Sequence, residues 1–576
     1  MSSEITPPST PSSPAGGLER RQFLGILSAA GLGGGLFPGV LWAVAQETDE
    51  ITIEVVEQAE KLAGLTFTEE QREMMLGGLR GNIEAYRSRR EAIEIPNHVA
   101  PALHFDPVPP GRAWPRGEST VRPSIPTTLP ARDRDTDLAF ASLPELGALI
   151  RAGEVTSEQL TRLSLDRLRR HGPRLECVVT LTEERGMDQA RRADRELADG
   201  RVRGPLHGIP WGAKDLLATR GYPTTWGAAP FSTQVLDMDA TVVSKLDEAG
   251  AVLVAKLTLG ALAMGDVWFD GRTRNPWNLE QGSSGSSAGS AAAVVAGLVG
   301  FAIGSETLGS IVSPATRCGA TGLRPSFGRV SRHGAMALSW SMDKIGPLCR
   351  SVEDCALVLG AIQGEDLLDR TVRDVPFRWD GEQGIEGLRV GYFASAFEGD
   401  GDRAPIDRRV LEVLRGLGVE LHPVGLPEDL PIGALRTILS AEAAAAFDEL
   451  TRSGQDELLV RQDTGAWPNT FRTARFIPAV EYIQANRVRT ILMGALDRAW
   501  ADVDVVVTPS YASSLLLATN LTGHPAVVLP HISQAEADPL SISFVGGLWK
   551  DAEALRVAKA YQDASGHHLE RPPGFA

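Results

Sequence analysis

Lysine is nearly missing from this chain. Only Lys61, Lys214, Lys245, Lys256, Lys344, Lys550 and Lys559 occur in 576 residues, although Lys and Arg together number 57. Arginine therefore carries the positive charge, and a lysine beside an apolar stretch needs an explanation. Cysteine is scarcer still. Cys177, Cys318, Cys349 and Cys355 form no CxxC pair and no Cys/His cluster at zinc spacing, which excludes a zinc finger or ribbon and favours free thiols over a disulfide framework. No GxxxxGK[ST] phosphate loop, no HExxH motif and no repeat of fixed period is present, so neither a P-loop nor a zincin site is expected. A formal net charge of −16 excludes a broadly basic nucleic-acid surface. With 43% hydrophobic residues the chain is not a disordered tail. Its length gives a prior of three or four domains and a core that needs no staples.

The amino terminus carries an address. Residues 1–19 are rich in Ser, Pro and Thr, and Arg20-Arg21-Gln22-Phe23-Leu24 then opens an uncharged stretch that ends at Ala43-Val44-Ala45. Paired arginines, a moderately apolar region and an A-x-A exit read as a twin-arginine-type export signal over 1–45, releasing a chain that starts at Gln46. A membrane anchor is the competing reading, because the run is long enough to span. Gly25, Gly31, Gly33, Gly34, Gly35, Pro38 and Gly39 make it a poor spanning helix. The expectation is an exported protein, periplasmic or extracellular, that meets the membrane only in transit.

Downstream, 46–100 reads as a helical extension. Val55, Ala59, Leu62 and Ala63 recur at helix spacing, and Thr66 to Glu70 reads as a second helix start. Its amphipathic faces fit either a packed cap or an arm that pairs with a second copy of the chain. Residues 101–136, with Pro107, Pro109, Pro110, Pro115, Pro123 and Pro126, read as a proline-rich linker. A main domain follows over 137–576. Thr156-Ser157-Glu158-Gln159 is a capping box before Leu160, Leu163 and Leu168, while Val252-Leu253-Val254 and Val503 to Val507 read as short buried strands. The alternation predicts an α/β fold with a mixed sheet.

The chemistry concentrates between Gly204 and Arg350. Lys214 sits in Gly208-Ile209-Pro210-Trp211-Gly212-Ala213-Lys214-Asp215, serines recur in Gly285-Ser286-Ser287-Ala288-Gly289-Ser290, and a third stretch reads Gly304-Ser305-Glu306-Thr307-Leu308-Gly309-Ser310-Ile311. Amide hydrolysis requires a nucleophile, a base and donors for the oxyanion. Glycine-flanked serines let a hydroxyl and the backbone approach a substrate closely. A desolvated lysine can act as a neutral base, because lowering its pKa by about three units costs roughly 4 kcal/mol, which burial supplies. Taken singly, each stretch is as well explained by a flexible loop or a solvated charge.

Together, in this order, they resemble the amidase signature family, whose catalytic group is a Ser–Ser–Lys triad. The resemblance extends from Asp137 to the end and includes Asn275-Pro276-Trp277-Asn278 and Asn520-Leu521-Thr522-Gly523-His524-Pro525. It implies an amidase-signature α/β/α fold with a mixed central sheet, here with the added helical extension. By the same resemblance Ser310 is the acyl-enzyme nucleophile, Ser286 the bridging serine and Lys214 the base. The backbone N–H groups of Thr307, Leu308, Gly309 and Ser310 form the oxyanion hole. The reaction implied is hydrolysis of a linear carboxylic amide to an acid plus ammonia or an amine, with a small amide as partner and with no metal or organic cofactor. Three positions depart from the usual pattern: Leu308 and Ala288 where glycine is common, and Glu306 where Asp is common. Leu308 requires backbone open to a residue with a Cβ and narrows or reshapes the space beside Ser310.

Two other readings compete. Gly285-Ser286-Ser287-Ala288-Gly289 fits the G-x-S-x-G elbow of α/β-hydrolases with Ser287 as nucleophile and His524 or His531 as base, but the polar residues before it supply no buried strand. A non-catalytic member of the fold, or the ammonia-generating component of a tRNA-amidating complex, is the third reading; export and the lack of a basic stripe oppose it. For the pocket walls, the region from Glu382 to Arg475, with Trp467 and Phe471, is the candidate. His333, His567 and His568 read as surface or capping residues, and Asn520 as structural.

Overall fold

Among the described residues, a mixed sheet of eleven strands is the organising element. The computed structural model describes residues 51–576 except 93–94, 110, 132–133, 400–402, 513 and 534–538. The export signal expected at 1–45 lies outside the described residues. The chain divides into two units, Met1–Ile95 and Pro96–Ala576.

In the first unit, α1 (Ile53–Ala63) is capped by the Thr52 hydroxyl and closed by Gly64 in the left-handed region. α2 (Glu69–Ala92) starts where Thr68 and Gln71 exchange hydrogen bonds of 2.8 and 3.2 Å. Buried Glu60 on α1 accepts both Nε and Nη2 of Arg72 on α2, at 2.8 and 2.9 Å. This bidentate pair clasps the hairpin.

In the second unit the sheet strands are β1 (Val178–Leu181), β2 (Pro210–Lys214), β3 (Val252–Leu257), β4 (Phe301–Glu306), β5 (Thr321–Arg324), β6 (Lys344–Cys349), β7 (Val390–Phe393), β8 (Leu421–Val424), β9 (Val505–Pro509), β10 (Ala526–Pro530) and β11 (Ser541–Gly546). Their spatial order is β8-β7-β9-β11-β10-β5-β6-β4-β2-β3-β1. The β2 strand runs parallel to both β3 and β4, and β7 parallel to β8 and β9, while the other neighbours are antiparallel. Side chains alternate between two apolar cores. Trp211, Leu253, Phe301, Ile303 and Val527 enter one, with helices Val352–Ile362 and Asp551–Ser565. Val252, Val254, Ala302 and Val528 enter the other, with α3 (Ser157–Leu175) and α4 (Ala288–Val295). That is the period-two pattern of a sheet covered on both faces. The box read at Thr156 is present: its hydroxyl accepts the Gln159 N–H at 3.1 Å and Gln159 reaches back to the Thr156 N–H at 2.9 Å. All four cysteines are buried free thiols.

The proline-rich stretch expected as a linker is fastened to this second unit. Just before it, Asn97 exchanges hydrogen bonds of 2.7 and 2.8 Å with Ala337. Thr120–Arg122 pairs in parallel with Arg378–Asp380, and Ser124 donates its N–H and hydroxyl to Glu353 at 2.6 and 2.8 Å. Prolines fix φ and keep the segment extended, and the N–H groups of Thr120, Ser124 and Ile125 find partners on Phe377, Glu353 and Glu382. No helix among the described residues is long and apolar enough to cross a membrane.

Phe301, fully buried and stacked 5.9 Å from Trp211, joins β4 to β2. Phe301→Ala is expected to cost about 3–5 kcal/mol, measured as a fall in the guanidinium unfolding midpoint with the m-value unchanged.

Candidate active site

Strands β2 and β4 are parallel, in register from Trp211 opposite Phe301 to Ala213 opposite Ile303, so their carboxyl ends share one edge of the sheet. In open α/β sheets that edge is where ligands bind. Lys214 ends β2, fully buried. Its Nζ donates to Ser286 Oγ at 2.8 Å, Ser305 Oγ at 2.9 Å, Ser287 Oγ at 3.0 Å and the Ser305 carbonyl at 3.4 Å. Every one of these partners is a neutral oxygen. The neighbouring carboxylate, Asp215, points away and pairs with Lys256 on β3 at 2.7 Å, as alternation along a strand dictates. Burial therefore holds Lys214 down to about 7 against the more distant pull of Asp343 and Glu306.

Ser286 and Ser287 lie in the tight loop before α4, and the Gly285–Ser286 peptide is cis. Ser287 is not free to attack. Its hydroxyl donates to the Ser305 carbonyl at 3.1 Å and accepts both the Ser305 N–H at 3.2 Å and Lys214. Gly304 makes this possible, because a Cβ there would stand 2.7 Å from Ser287 Oγ. The elbow reading fails on this geometry. Its supposed bases lie elsewhere, His524 against the Thr522 hydroxyl at 2.8 Å and His531 against Asp407 at 2.8 Å. The strand before the loop, Asn278–Gly282, is a partly exposed hairpin arm outside the main sheet.

The Ser310 carbonyl accepts the Ser287 N–H at 3.2 Å, which brings the half-buried Ser310 beside the Ser286–Ser287 loop. Thr307, Leu308 and Gly309 lead into it. Gly309 takes φ +82° and Leu308 does not enter the left-handed region, so the loop keeps its left-handed residue at the position that is still glycine. The half-buried Leu308 side chain packs against the core.

Glu306 anchors this loop. Fully buried, it accepts the N–H groups of Ile311 and Val312 at 2.8 and 3.0 Å with one oxygen, and Arg324 Nη1 and Asn520 Nδ2, both at 2.9 Å, with the other. Burial opposes the charge. Arg324, the Val312 N–H and Asn520 outweigh it and hold Glu306 at about 2. Its role is not readable from sequence, where it registers only as a departure at one position. Asn520 does have the structural duty expected of it.

Asp343 carries no signal in the sequence. It is half-buried, accepts the Thr307 hydroxyl and the N–H groups of Leu338 and Ser339 at 2.8 and 2.9 Å, and its carboxyl is pushed up by desolvation. The register that sets Lys344 opposite Glu306 carries it to Thr307, and no local motif announces that pairing.

A cavity of about 880 Å³ opens beside the loop, and Ser305, Thr307 and Asp343 form its inner wall, with Met336, Trp340 and Ile345 alongside. Ser310 lies three residues beyond Thr307 in the chain, and Ser305 ties this wall to Lys214 through its hydroxyl at 2.9 Å. Trp467 and Phe471, expected as pocket walls, instead stack on each other at 5.0 Å inside the core, and among the described residues of Glu382 to Arg475 only Glu442 lines the cavity. Aromatics four residues apart on one helix are the pattern of a packed face. Among the described residues no group of three His, Cys, Asp or Glu is placed to hold a metal ion.

An α/β/α molecule with a buried lysine set among serines at the carboxyl edge of parallel strands is a protein of the amidase-signature fold. The Amidase family profile matches residues 159–518, and the chain belongs to that family, whose members hydrolyse C–N bonds. A glutamyl-tRNA(Gln) amidotransferase subunit from Moorella thermoacetica is 34% identical over 484 residues, 76% of this chain and 99% of that one. The subunit of the same name from Roseiflexus castenholzii is 35% identical over 487 residues, 76% and 98% of the two chains. Among solved structures, native peptide amidase from Stenotrophomonas maltophilia is similar at TM-score 0.68 and 31% identity, covering 76% of this chain and 99% of its own.

Glu306→Gln keeps the shape but turns an amide N–H₂ toward one set of donors and leaves Arg324 unpaired. Breaking a buried pair in this way costs about 3–5 kcal/mol, expected as a lower thermal unfolding midpoint by calorimetry.

Proposed function

We propose that the chain is an exported amidohydrolase that cleaves linear carboxylic amides through an acyl-enzyme on Ser310. The observation that carries the reading is the hydrogen-bonding of Lys214, buried, pulled toward neutrality and bonded only to neutral oxygens. Neutral lysine has one lone pair. It takes a proton from Ser286 as Ser286 takes the proton of Ser310, whose Oγ attacks the amide carbon. The oxyanion is held by the N–H groups of Thr307, Leu308, Gly309 and Ser310. On collapse the proton returns through Ser286 to the departing nitrogen, the C–N bond breaks, and ammonia or an amine leaves. Water then enters, loses its proton along the same path, and frees the acid and Ser310. Export rests on Arg20-Arg21 and the stretch that follows. We further propose that α1 and α2 pair with a second copy. Leu62 on α1, Leu65 between the helices and Met74 on α2 are exposed, and a dimeric mass by light scattering that reverts to monomer when they are made polar is the expected outcome.

The amidotransferase subunits among the relatives favour a second reading, in which the chain generates ammonia for a larger complex. Ammonia release from simple amides by the purified chain alone supports hydrolysis. Release from glutamine that requires partner proteins and charged tRNA supports the alternative.

A fluorophosphonate probe is expected to label Ser310, to fail with Lys214→Ala, and to persist on Ser310 in Ser287→Ala; mass spectrometry of the adduct reads all three. An adduct on Ser287 would sink the assignment. Because the working form of Lys214 is unprotonated, kcat/KM is expected to rise with pH and level off above about 7, falling about tenfold per unit below that pH. An acid limb near 4 would point to a carboxylate base instead.

A further inference from the structure

The cavity has an outer wall that comes from before the family region. Asn97 is held by Ala337 through hydrogen bonds of 2.7 and 2.8 Å and reaches the Ala446 carbonyl at 3.4 Å. Phe105 lies 5.0 Å edge-on from Phe327, with the Arg489 guanidinium 3.4 Å over its ring. Arg489 is fixed in turn by the Ser341 carbonyl and hydroxyl at 2.7 and 2.8 Å, so it is a rigid post. Pro107 is buried just beyond. Between these moorings, residues 98–104 are exposed to solvent, yet His98, Pro101, Leu103 and His104 also line the cavity. The eight Cα steps from Asn97 to Phe105 reach at most about 29 Å. A segment moored at both ends, free between them and facing the cavity on its inner side is a strap.

The family profile starts at residue 159, so the strap precedes it. The two amidotransferase subunits match over 98–99% of their own length while covering 76% of this chain. The wall that faces the Ser305–Thr307 side of the cavity is thus built from a segment outside the profile that defines the family.

We propose that residues 97–106 form a strap that limits the size of molecule reaching Ser310, so that this chain selects compact amides over bulky ones by a segment outside the family core. The proposal rests on the reading of Ser310 as nucleophile. Phe105 and Asn97 are its specificity-determining moorings. They touch no reacting atom and act by holding the outer wall at a fixed distance from Thr307.

The test compares the full chain with Asn97→Ala/Phe105→Ala, which frees both ends, and with a second variant in which residues 100–104 become glycine and serine. Each is treated with a small alkyl fluorophosphonate and with one that carries a rhodamine. The ratio of bulky to small labelling rates at Ser310 is expected to rise about tenfold, the discrimination typical of a steric pocket, with the small-probe rate little changed. An unchanged ratio in both folded variants overturns the strap. If the intact chain takes neither probe, it is the Ser310 chemistry that fails, and the strap is then judged at the cavity wall by Ala335→Cys. The native thiols are buried, so iodoacetamide and a bulky maleimide read that position alone. The same rise in ratio sustains the proposal, and its absence overturns it.

Discussion

A buried lysine without a carboxylate partner is the constraint around which the second unit is arranged. Lys214 and Lys256 are both inaccessible to solvent and lie on adjacent strands, yet only Lys256 has a counter-ion, and that counter-ion is Asp215, the residue next to Lys214. Strand alternation sends the two side chains of the Lys214–Asp215 pair in opposite directions and so separates a structural ion pair from a lysine that burial alone governs. An ammonium in that position needs neutral dipoles in place of water, and Ser286, Ser287 and Ser305 supply them. The small residues nearby follow from this. Gly304 leaves room for Ser287, and the alanines of α4 let its helix approach the sheet closely enough for the loop before it to reach Nζ.

A second buried charge does opposite work. Glu306 is fully ionised, with four donors around it, one of them a guanidinium. It connects the end of β4 to the start of the helix Val312–Cys318, and through Asn520 and Arg324 to the distant 519–524 segment. The loop with Ser310 runs between these fixed points. One carboxylate is kept charged so that the loop from Thr307 to Ser310 cannot drift, and one lysine is held down toward neutrality by burial.

Much of this is legible in the sequence, and the rest is hidden for identifiable reasons. Lys214, the Ser286–Ser287 loop and the Ser310 loop announce themselves because each is a local cluster of small residues, and their order along the chain carries the resemblance. The capping box at Thr156 and the strand at Val252 are equally local. Glu306 and Asn520 are visible as residues, but not the bond between them, because 214 positions separate the partners. Asp343 meets Thr307 only through the antiparallel register of β4 and β6. Trp467 and Phe471 mislead because aromatics at helical spacing suit a pocket wall and a core equally well, and only the packing decides. The prolines before Asp137 read as a spacer, and the same stiffness lets an extended segment lie along a body, as Thr120–Arg122 does beside Arg378–Asp380.

The inner wall, made by Ser305, Thr307 and Asp343, belongs to strands and loops that the placement of Lys214 and Glu306 already fixes, so it has little freedom to vary without disturbing the chemistry. The outer wall is under no such constraint. Its moorings on Ala337, Phe327 and Arg489 use backbone groups and the outward side of residues whose other contacts are structural. A change in its length or side chains alters the space above the site while leaving the lysine, the serines and the buried glutamate where they are. A chain built this way can change what it admits far more readily than what it does.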